Sequence, residues 1–504
     1  MIMTKWFSSV WSDIKAEVSG FVRQNTFWKK LLFIYTVYFV GILSLLQANY
    51  LYKTDISRVA EVRYSVANWG HSGRWLNDLF ILLFHFDTYP RDISPLSELL
   101  AILALSLASM ILVHVLCKKT TYMRLFFSSV VGLNPYYFQV LSYVFDCLFY
   151  SIGVLAAVVP FLFYRKNRAF YVASAISFLC CYLIFQSTIS IYMVIITYLF
   201  WKDYQKGEVS IKGLVKKILV TVAVFFAISF VYYVIVQLAF PPNTPARNQS
   251  ALCDLANCWQ VFSSNFHRAT VRMFYGHWKG TPMGYAFVLV LGAFLLYQIK
   301  TALGSKRACP KVIHVLVAVG TFLLMLLFIL LWTMFFTFMY WNARIWTAVG
   351  PCFAVMMLAM SEEKGLRWRR VFTVSSFVLT WGCIVFITRV GNLIEVQKRY
   401  ESFFMFSLAQ DLSAHNVNEV IFKGKSTVHS PIVLSMAKEY PILVDLVTGL
   451  QRKYNRFNYY LINFYRPEVK ICQNQKRTMN KVLFKKMDYT FVQINDTCVE
   501  VRLK

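Results

Sequence analysis

The sequence predicts a polytopic α-helical membrane protein of about eleven transmembrane helices, with a small C-terminal α+β domain. Three observations carry that prediction. The 504 residues are 58% hydrophobic and only 15% charged, whereas soluble globular chains run at roughly 45–50% apolar and about 25% charged. The apolar excess lies in blocks of roughly 17–25 residues, long enough to cross about 30 Å of hydrocarbon. Lys and Arg gather in every second connecting loop, the alternation that a multi-pass topology imposes.

Each element follows in order. The first thirty residues, MIMTKWFSSVWSDIKAEVSGFVRQNTFWKK, hold five basic and two acidic side chains and no apolar core of a signal sequence. They read as a cytoplasmic amphipathic arm (1–30) and not as a cleavable signal. A transmembrane domain over 31–394 is expected next, with crossings near 31–51, 97–117, 121–134, 146–164, 169–186, 188–201, 218–240, 284–299, 312–338, 345–360 and 371–390. The third and sixth are short enough for half-spans. Residues 76–86, LNDLFILLFHF, are too short to cross and read as interfacial or re-entrant. Basic clusters at Lys118, Lys119 and Arg124, then at 165–168, 202–217, 300–311 and 364–370, share a side with the arm. The N-terminus is therefore expected in the cytoplasm and the C-terminus on the opposite face. On that outer face fall loops 52–96 and 241–283 and the tail 395–504.

The tail carries seventeen Lys/Arg against ten Asp/Glu, so its net +7 is a quarter of the chain's +28. SFFMFSLAQDLSAHN has helical spacing of its apolar positions, while VNEVIFKG and DYTFVQI alternate as strands do. Its charge suits acidic glycan or lipid headgroups; nucleic acid is not an expected partner. Four of the eleven cysteines fall on the outer side, Cys253 and Cys258 in one loop, Cys472 and Cys498 in the tail. Even numbers in each segment suit two local disulfides, although spacing alone leaves free thiols open.

Several function classes lack their signatures. There is no Walker A stretch, GxGxxG, HExxH or paired CxxC. The eight His residues are scattered, so no metal site is expected, and nothing calls for a cofactor. Acidic residues are scarce inside the spans, against an ion-coupled transporter.

The densest chemistry follows the first span, in YKTDISRVAEVRYSVANWGHSGRWL. Read as a helix, 57–69 puts Val59, Val62, Val66 and Trp69 on one arc and Arg58, Glu61 and Ser65 on another, so it would lie flat on the outer leaflet. Asp55 at its start is either a helix cap or a general base that takes a proton from a weakly nucleophilic hydroxyl. Sugar transfer passes through an oxocarbenium-like state that a carboxylate favours. A phosphate leaving group wants guanidinium forks nearby, and Arg58, Arg74 and Arg344 are the candidates. Arg74 follows a glycine turn that lets the backbone approach a ligand. Arg344, at the outer end of a span, needs a partner at that depth. Glu61 is a solvated residue or the substitute base, and Asp146 caps the next span or orders the acceptor groove. His267, Arg268 and Arg272 form a wetted face or contact the acceptor.

The order TDISR…WG…GRWL after the first span resembles the bacterial polytopic glucosyltransferases that decorate lipopolysaccharide O-antigen, the serotype-conversion type. The resemblance continues in GLNPYYFQVLSYVFDCLFYSIGVLAAVVPFLF, around Arg344, and more weakly in FKGKSTVHSPIVLSMAKEYPILVDLV. It implies a membrane glycosyltransferase of the GT-C type in the bacterial inner membrane. The donor would be a polyprenyl-phosphate glucose, and the acceptor an O-antigen or lipid-linked glycan on the periplasmic side. A flippase and a polyprenyl-phosphate glucose synthase would act before it. The catalytic residue would be Asp55, the donor phosphate would meet Arg58, Arg74 and Arg344, and Glu61, Trp69, Asp146, His267 and Arg268 would line a substrate groove. The family tends to carry two adjacent acidic residues where this chain has Thr54-Asp55, which leaves Asp55 to act alone. An O-antigen polymerase or a lipid-linked sugar flippase are the alternative readings.

Overall fold

In the computed structural model, residues 2–503 are described except 24–25, 53, 61–66, 71, 208, 241–252, 255, 306–309, 338–340, 424–427, 451–457, 459–460, 473–478, 487–488 and 496–497. An N-terminal helix, α1 (Ile2–Val22), buries Val10 and Phe21 and leaves Trp11 exposed. The first long apolar helix is α2 (Phe27–Ala48), closed by Asn49 in the left-handed conformation. Two short helices, α3 (Thr54–Ala60) and α4 (Ala67–Gly70), precede α5 (Trp75–His85) and α6 (Leu96–Leu116). Next come α7 (Tyr122–Ser128), α8 (Pro135–Leu141), α9 (Cys147–Val158), α10 (Asn167–Ile184), α11 (Ile189–Lys206) and α12 (Ile211–Ala239). The remaining helices are α13 (Cys258–Ala269), α14 (Pro282–Leu303), α15 (Lys311–Met334), α16 (Val349–Met360), α17 (Leu366–Ala414), α18 (Pro431–Glu439) and α19 (Leu443–Leu446).

Among the described residues, seven helices are long and apolar enough to cross a membrane, α2, α6, α10, α12, α14, α15 and α17, which does not confirm the expected count of eleven crossings. The other four segments are helical but short, interrupted or polar-ended. At 146–164, α9 passes into a 3₁₀ turn, Val159–Phe163, with Pro160 in its first turn; proline has no N–H to continue an α-helix. At 188–201, α11 runs on into Lys202, Asp203 and Lys206. At 345–360 the helix is α16, whose twelve residues are all buried. Twelve residues rise about 18 Å, well short of about 30 Å of hydrocarbon. A helix apolar on every side is a core helix, and here protein takes the place of lipid.

That buried centre is what positions the outer-loop chemistry. Asn134 caps α8 by accepting from the N–H groups of Tyr136 (3.1 Å) and Tyr137 (3.0 Å), with Pro135 in the first turn. All seven α8 residues are buried. Around it, α2 crosses α17 so closely that a Cβ at Gly391 would lie 2.2 Å from the Ser44 hydroxyl oxygen. Only a residue without a side chain admits that approach.

The last helix, α17, is 49 residues long and runs unbroken through residue 395. Beyond it lies a five-stranded sheet in the order β2-β1-β5-β4-β3. Its strands are β1 (Glu419–Lys423), β2 (Lys470–Ile471), β3 (Lys481–Lys485), β4 (Tyr489–Gln493) and β5 (Cys498–Leu503). Strand β1 pairs in parallel with β2 and β5, while β3–β4 and β4–β5 are antiparallel. The two runs expected as strands are β1 and β4. Phe404, Met405, Leu408 and Leu412 of α17 pack with Val420, Phe422, Phe491 and Val501 in a core separate from the helical one. Cys472 and Cys498 form a disulfide with Cα atoms 5.7 Å apart. Cys253 and Cys258, the other candidate pair, are free thiols, with a side-chain hydrogen bond between them.

Candidate functional site

Asp55 lies in the first turn of α3 and is fully buried. Its carboxylate makes one contact across the fold and one within its own helix. Oδ2 accepts from the Val144 N–H at 2.9 Å, and Oδ1 lies 3.4 Å from Arg58 Nη1. The same Arg58 nitrogen is 3.2 Å from Asp146 Oδ1. Asp146 precedes α9 but makes no side-chain cap hydrogen bond to it. Instead, Oδ1 also accepts from the Trp69 indole N–H at 2.9 Å, and Oδ2 lies 3.8 Å from Arg344 Nη1. Two carboxylates and two guanidiniums from three distant stretches therefore meet at one point, with Asp146 as the hub.

Aromatic rings hold both arginines. The Arg58 guanidinium lies 4.2 Å from the Trp69 ring centroid, and that of Arg344 lies 4.5 Å from the Tyr143 ring centroid. Such cation–π contacts gain strength where water is excluded. Arg344 sits in a 3₁₀ turn, Ala343–Ile345, and its backbone N–H donates to Gln139 Oε1 at 2.9 Å. Its side chain is 26% exposed, while the Asp55 side chain is at 0%, so the cluster is open to solvent on the Arg344 side. Burial pushes the Asp55 carboxyl well above the usual carboxylate range; Arg58 opposes that rise and Asp146 adds to it.

Arg74 stands one helical turn further along the same face of α9. Its Nη1 donates to the Tyr150 hydroxyl at 3.0 Å, and its guanidinium lies 5.3 Å from the Phe185 ring centroid. Its buried Nε–H has no hydrogen-bond partner among the described residues, a costly state that an anionic oxygen would relieve. The preceding Gly73 has φ +73°, and a Cβ there would lie 2.5 Å from the Tyr232 hydroxyl. The glycine turn is a steric requirement of this corner.

Some expectations do not survive. Of the flat surface helix expected over 57–69, residues 57–60 in α3 and 67–69 in α4 are helical, and 61–66 lie outside the described residues. Val59 is exposed while Trp69 is buried on Asp146, so the two do not share a lipid-facing arc. Glu61 lies outside the described residues. His267 and Arg268 are exposed at the end of α13 and take no part in the cluster's described hydrogen bonds and ion pairs. Among the described residues, no group of three His, Cys, Asp or Glu side chains is placed to hold a metal ion.

Other residues were missed by sequence reasoning. Gln139 ties the cluster to the C-terminal part: its amide donates to the Asp445 carbonyl (3.0 Å) and to the Tyr52 hydroxyl (3.2 Å). Tyr52 in turn donates to the Leu446 carbonyl at 2.9 Å. The Asp445 carboxylate is held by Arg272 Nη2 at 2.8 and 2.9 Å and lies 3.2 Å from His277 Nε2. A signal existed, since an acidic residue inside the apolar run PILVDLV must find a partner. Nothing in the sequence said which.

A bundle of membrane-length helices with a buried carboxylate–guanidinium centre at the end of its first long helix has the form of a membrane-embedded enzyme. The family model described as Glucosyl transferase GtrII matches residues 43–380, and the chain belongs to that glucosyltransferase family. The match takes in Asp55, Arg58, Arg74, Asp146 and Arg344 and ends before the sheet. No curated protein and no solved structure matches the chain.

Proposed function

We propose that this glucosyltransferase works in the bacterial inner membrane, moving glucose from a polyprenyl-phosphate donor to O-antigen glycan. Transfer takes place on the periplasmic face with inversion, the N-terminus being cytoplasmic and the C-terminus periplasmic. A polyprenyl-phosphate glucose synthase and a flippase supply the donor. The observation that carries the reading is the meeting of Asp55 and Asp146 on one Arg58 nitrogen, with Arg344 on the opposite oxygen.

Asp55 is the general base. Its contact with Arg58, at 3.4 Å, is the longer of that arginine's two, so it is the one an acceptor hydroxyl replaces. The carboxylate takes the hydroxyl proton as the oxygen attacks the anomeric carbon. The bond from that carbon to the phosphate oxygen breaks, and polyprenyl phosphate leaves with the electron pair. A carboxyl with a raised pKa is the stronger base once ionised. The departing phosphate is held by Arg74, whose Nε–H is free among the described residues, and by Arg344, the more open of the cluster's two guanidiniums. Asp146 positions both Arg58 and Arg344.

The test is Asp55→Asn in membranes supplied with labelled polyprenyl-phosphate glucose. Transfer should fall by about 10²–10⁴-fold while the protein remains folded and inserted. Near-normal transfer would remove Asp55 from the role.

A further inference from the structure

Asp55 stands on a helix of only seven residues, and isolated helices shorter than about 12–15 residues are marginal on their own. A reacting group has to be held within about 0.5 Å of its working position. Helix α3 therefore needs support from elsewhere, and the residues that lead into it receive it at three points. Lys398 Nζ of α17 donates to the Ala48 carbonyl at 2.8 Å and to the Asn49 carbonyl at 3.1 Å, oxygens that the end of α2 leaves without helical partners. The Tyr50 hydroxyl donates to Glu401 Oε2 of α17 at 2.8 Å. The Tyr52 hydroxyl donates to the Leu446 carbonyl at 2.9 Å and lies 3.1 Å from that of Asp445. Tyr52 then passes its position on, because its own carbonyl accepts from the Asp55 N–H at 3.0 Å.

The middle point is built from the costliest parts. Glu401 is 3% exposed and Tyr50 9%, and a carboxyl group taken out of water must have its oxygens hydrogen-bonded. Both are: Oε1 accepts from Gln397 Nε2 at 2.8 Å. Gln397 is fixed in turn, its Oε1 accepting from the Ser430 N–H at 2.8 Å, at the start of α18. Apolar groups of the same shape in place of both partners of such a bond are nearly neutral for stability. What the polar pair adds is a defined position for the chain at Tyr50.

We infer that Tyr50 and Glu401 are positioning residues for glucosyl transfer, their hydrogen bond letting α17 set where the segment that carries Asp55 stands. The inference rests on the reading of Asp55 as general base. Lys398, Glu401, Asp445 and Leu446 all lie beyond residue 380, where the family match ends. The C-terminal part of the chain thus takes a share in placing the base while touching neither donor nor acceptor.

Tyr50→Phe tests the inference from one side of the bond and Glu401→Leu from the other. The double variant carries the test if a single one folds poorly, since it leaves no carboxyl group without its hydroxyl partner. Turnover per folded protein, at saturating labelled polyprenyl-phosphate glucose and saturating O-polysaccharide, should fall about tenfold in all three. The half-saturating concentrations of both substrates should stay unchanged. A merely structural bond would lower the melting temperature and the yield of folded protein and leave turnover per folded protein at the wild-type value; that result overturns the inference, and loss of transfer in Asp55→Asn would still uphold the base. Added to Asp55→Asn, Tyr50→Phe should slow the residual transfer no further, because the two act through one group. A second, equal fall on that background shows that Tyr50 works through something other than Asp55 and also overturns it. Near-normal transfer by Asp55→Asn sinks the base itself, and the inference with it.

Discussion

Asp55 and Asp445 are joined by one run of contacts, through Arg58, Asp146, Arg344 and Gln139, yet their surroundings treat them in opposite ways. Asp55 is sealed from water and shares its nearest guanidinium with a second carboxylate, so burial holds its carboxyl above the ordinary range. Asp445 has Arg272 on both oxygens and His277 beside one of them; these partners hold its carboxyl below the ordinary range against the opposing effect of burial. A carboxylate whose charge is resisted is ready to take a proton. One whose charge is welcomed holds parts together. In the proposed mechanism the two centres divide chemistry from positioning.

The contrast is broken most severely at the hub. Asp146→Asn leaves Arg58 and Arg344 without their common partner, and losing one member of a buried ionic group costs about 3–5 kcal/mol. Thermal unfolding in detergent should show that loss together with lost transfer. Asp55→Asn should lose transfer with no loss of stability, and a matching fall in both variants would make the cluster structural. Gly73→Ala comes next: its positive φ and the nearby Tyr232 hydroxyl predict about 1–3 kcal/mol of strain. Because the turn aims Arg74, the half-saturating donor concentration should rise as well. The smallest effect belongs to Asp445→Asn, about 1 kcal/mol, since Arg272 is half-exposed and the pair is screened.

pH separates the two centres by sign. Asp55 has a raised folded pKa, so folding takes up a proton. Its contribution to stability is present at low pH and lost as pH rises through the raised value. Wild type should therefore lose stability relative to Asp55→Asn across that rise, while transfer increases as the base ionises. Asp445 has a lowered folded pKa, so its contribution is present above the ordinary carboxylate value and lost as pH falls through the lowered one. Melting temperatures of both variants across pH check the pair of signs. Parallel profiles would erase the distinction.

Much of this was legible in the chain. The apolar blocks become helices because segments of that length must satisfy their backbone internally. Asp55, Arg58, Arg74 and Arg344 stood out because charge beside an apolar span needs a partner. The partner itself was not legible. Asp146 reads equally well as a cap, and only the structure turns its carboxylate from α9 to Arg58, 88 residues away in sequence. Trp69 shows the same limit: helical spacing placed it on a lipid face, while the fold spends its indole N–H on a buried carboxylate.

By itself, the sequence determined a helical membrane protein with a basic C-terminal part and a concentration of charge after the first long apolar segment. Composition and periodicity record how apolar a segment's surroundings are. They do not record whether those surroundings are lipid or protein, which is why α16, buried on every side, could not be told from a spanning segment. Tertiary structure alone decided that, and it alone chose which charges meet. Pairing across a hundred or more residues depends on how helices pack, and no local pattern encodes it.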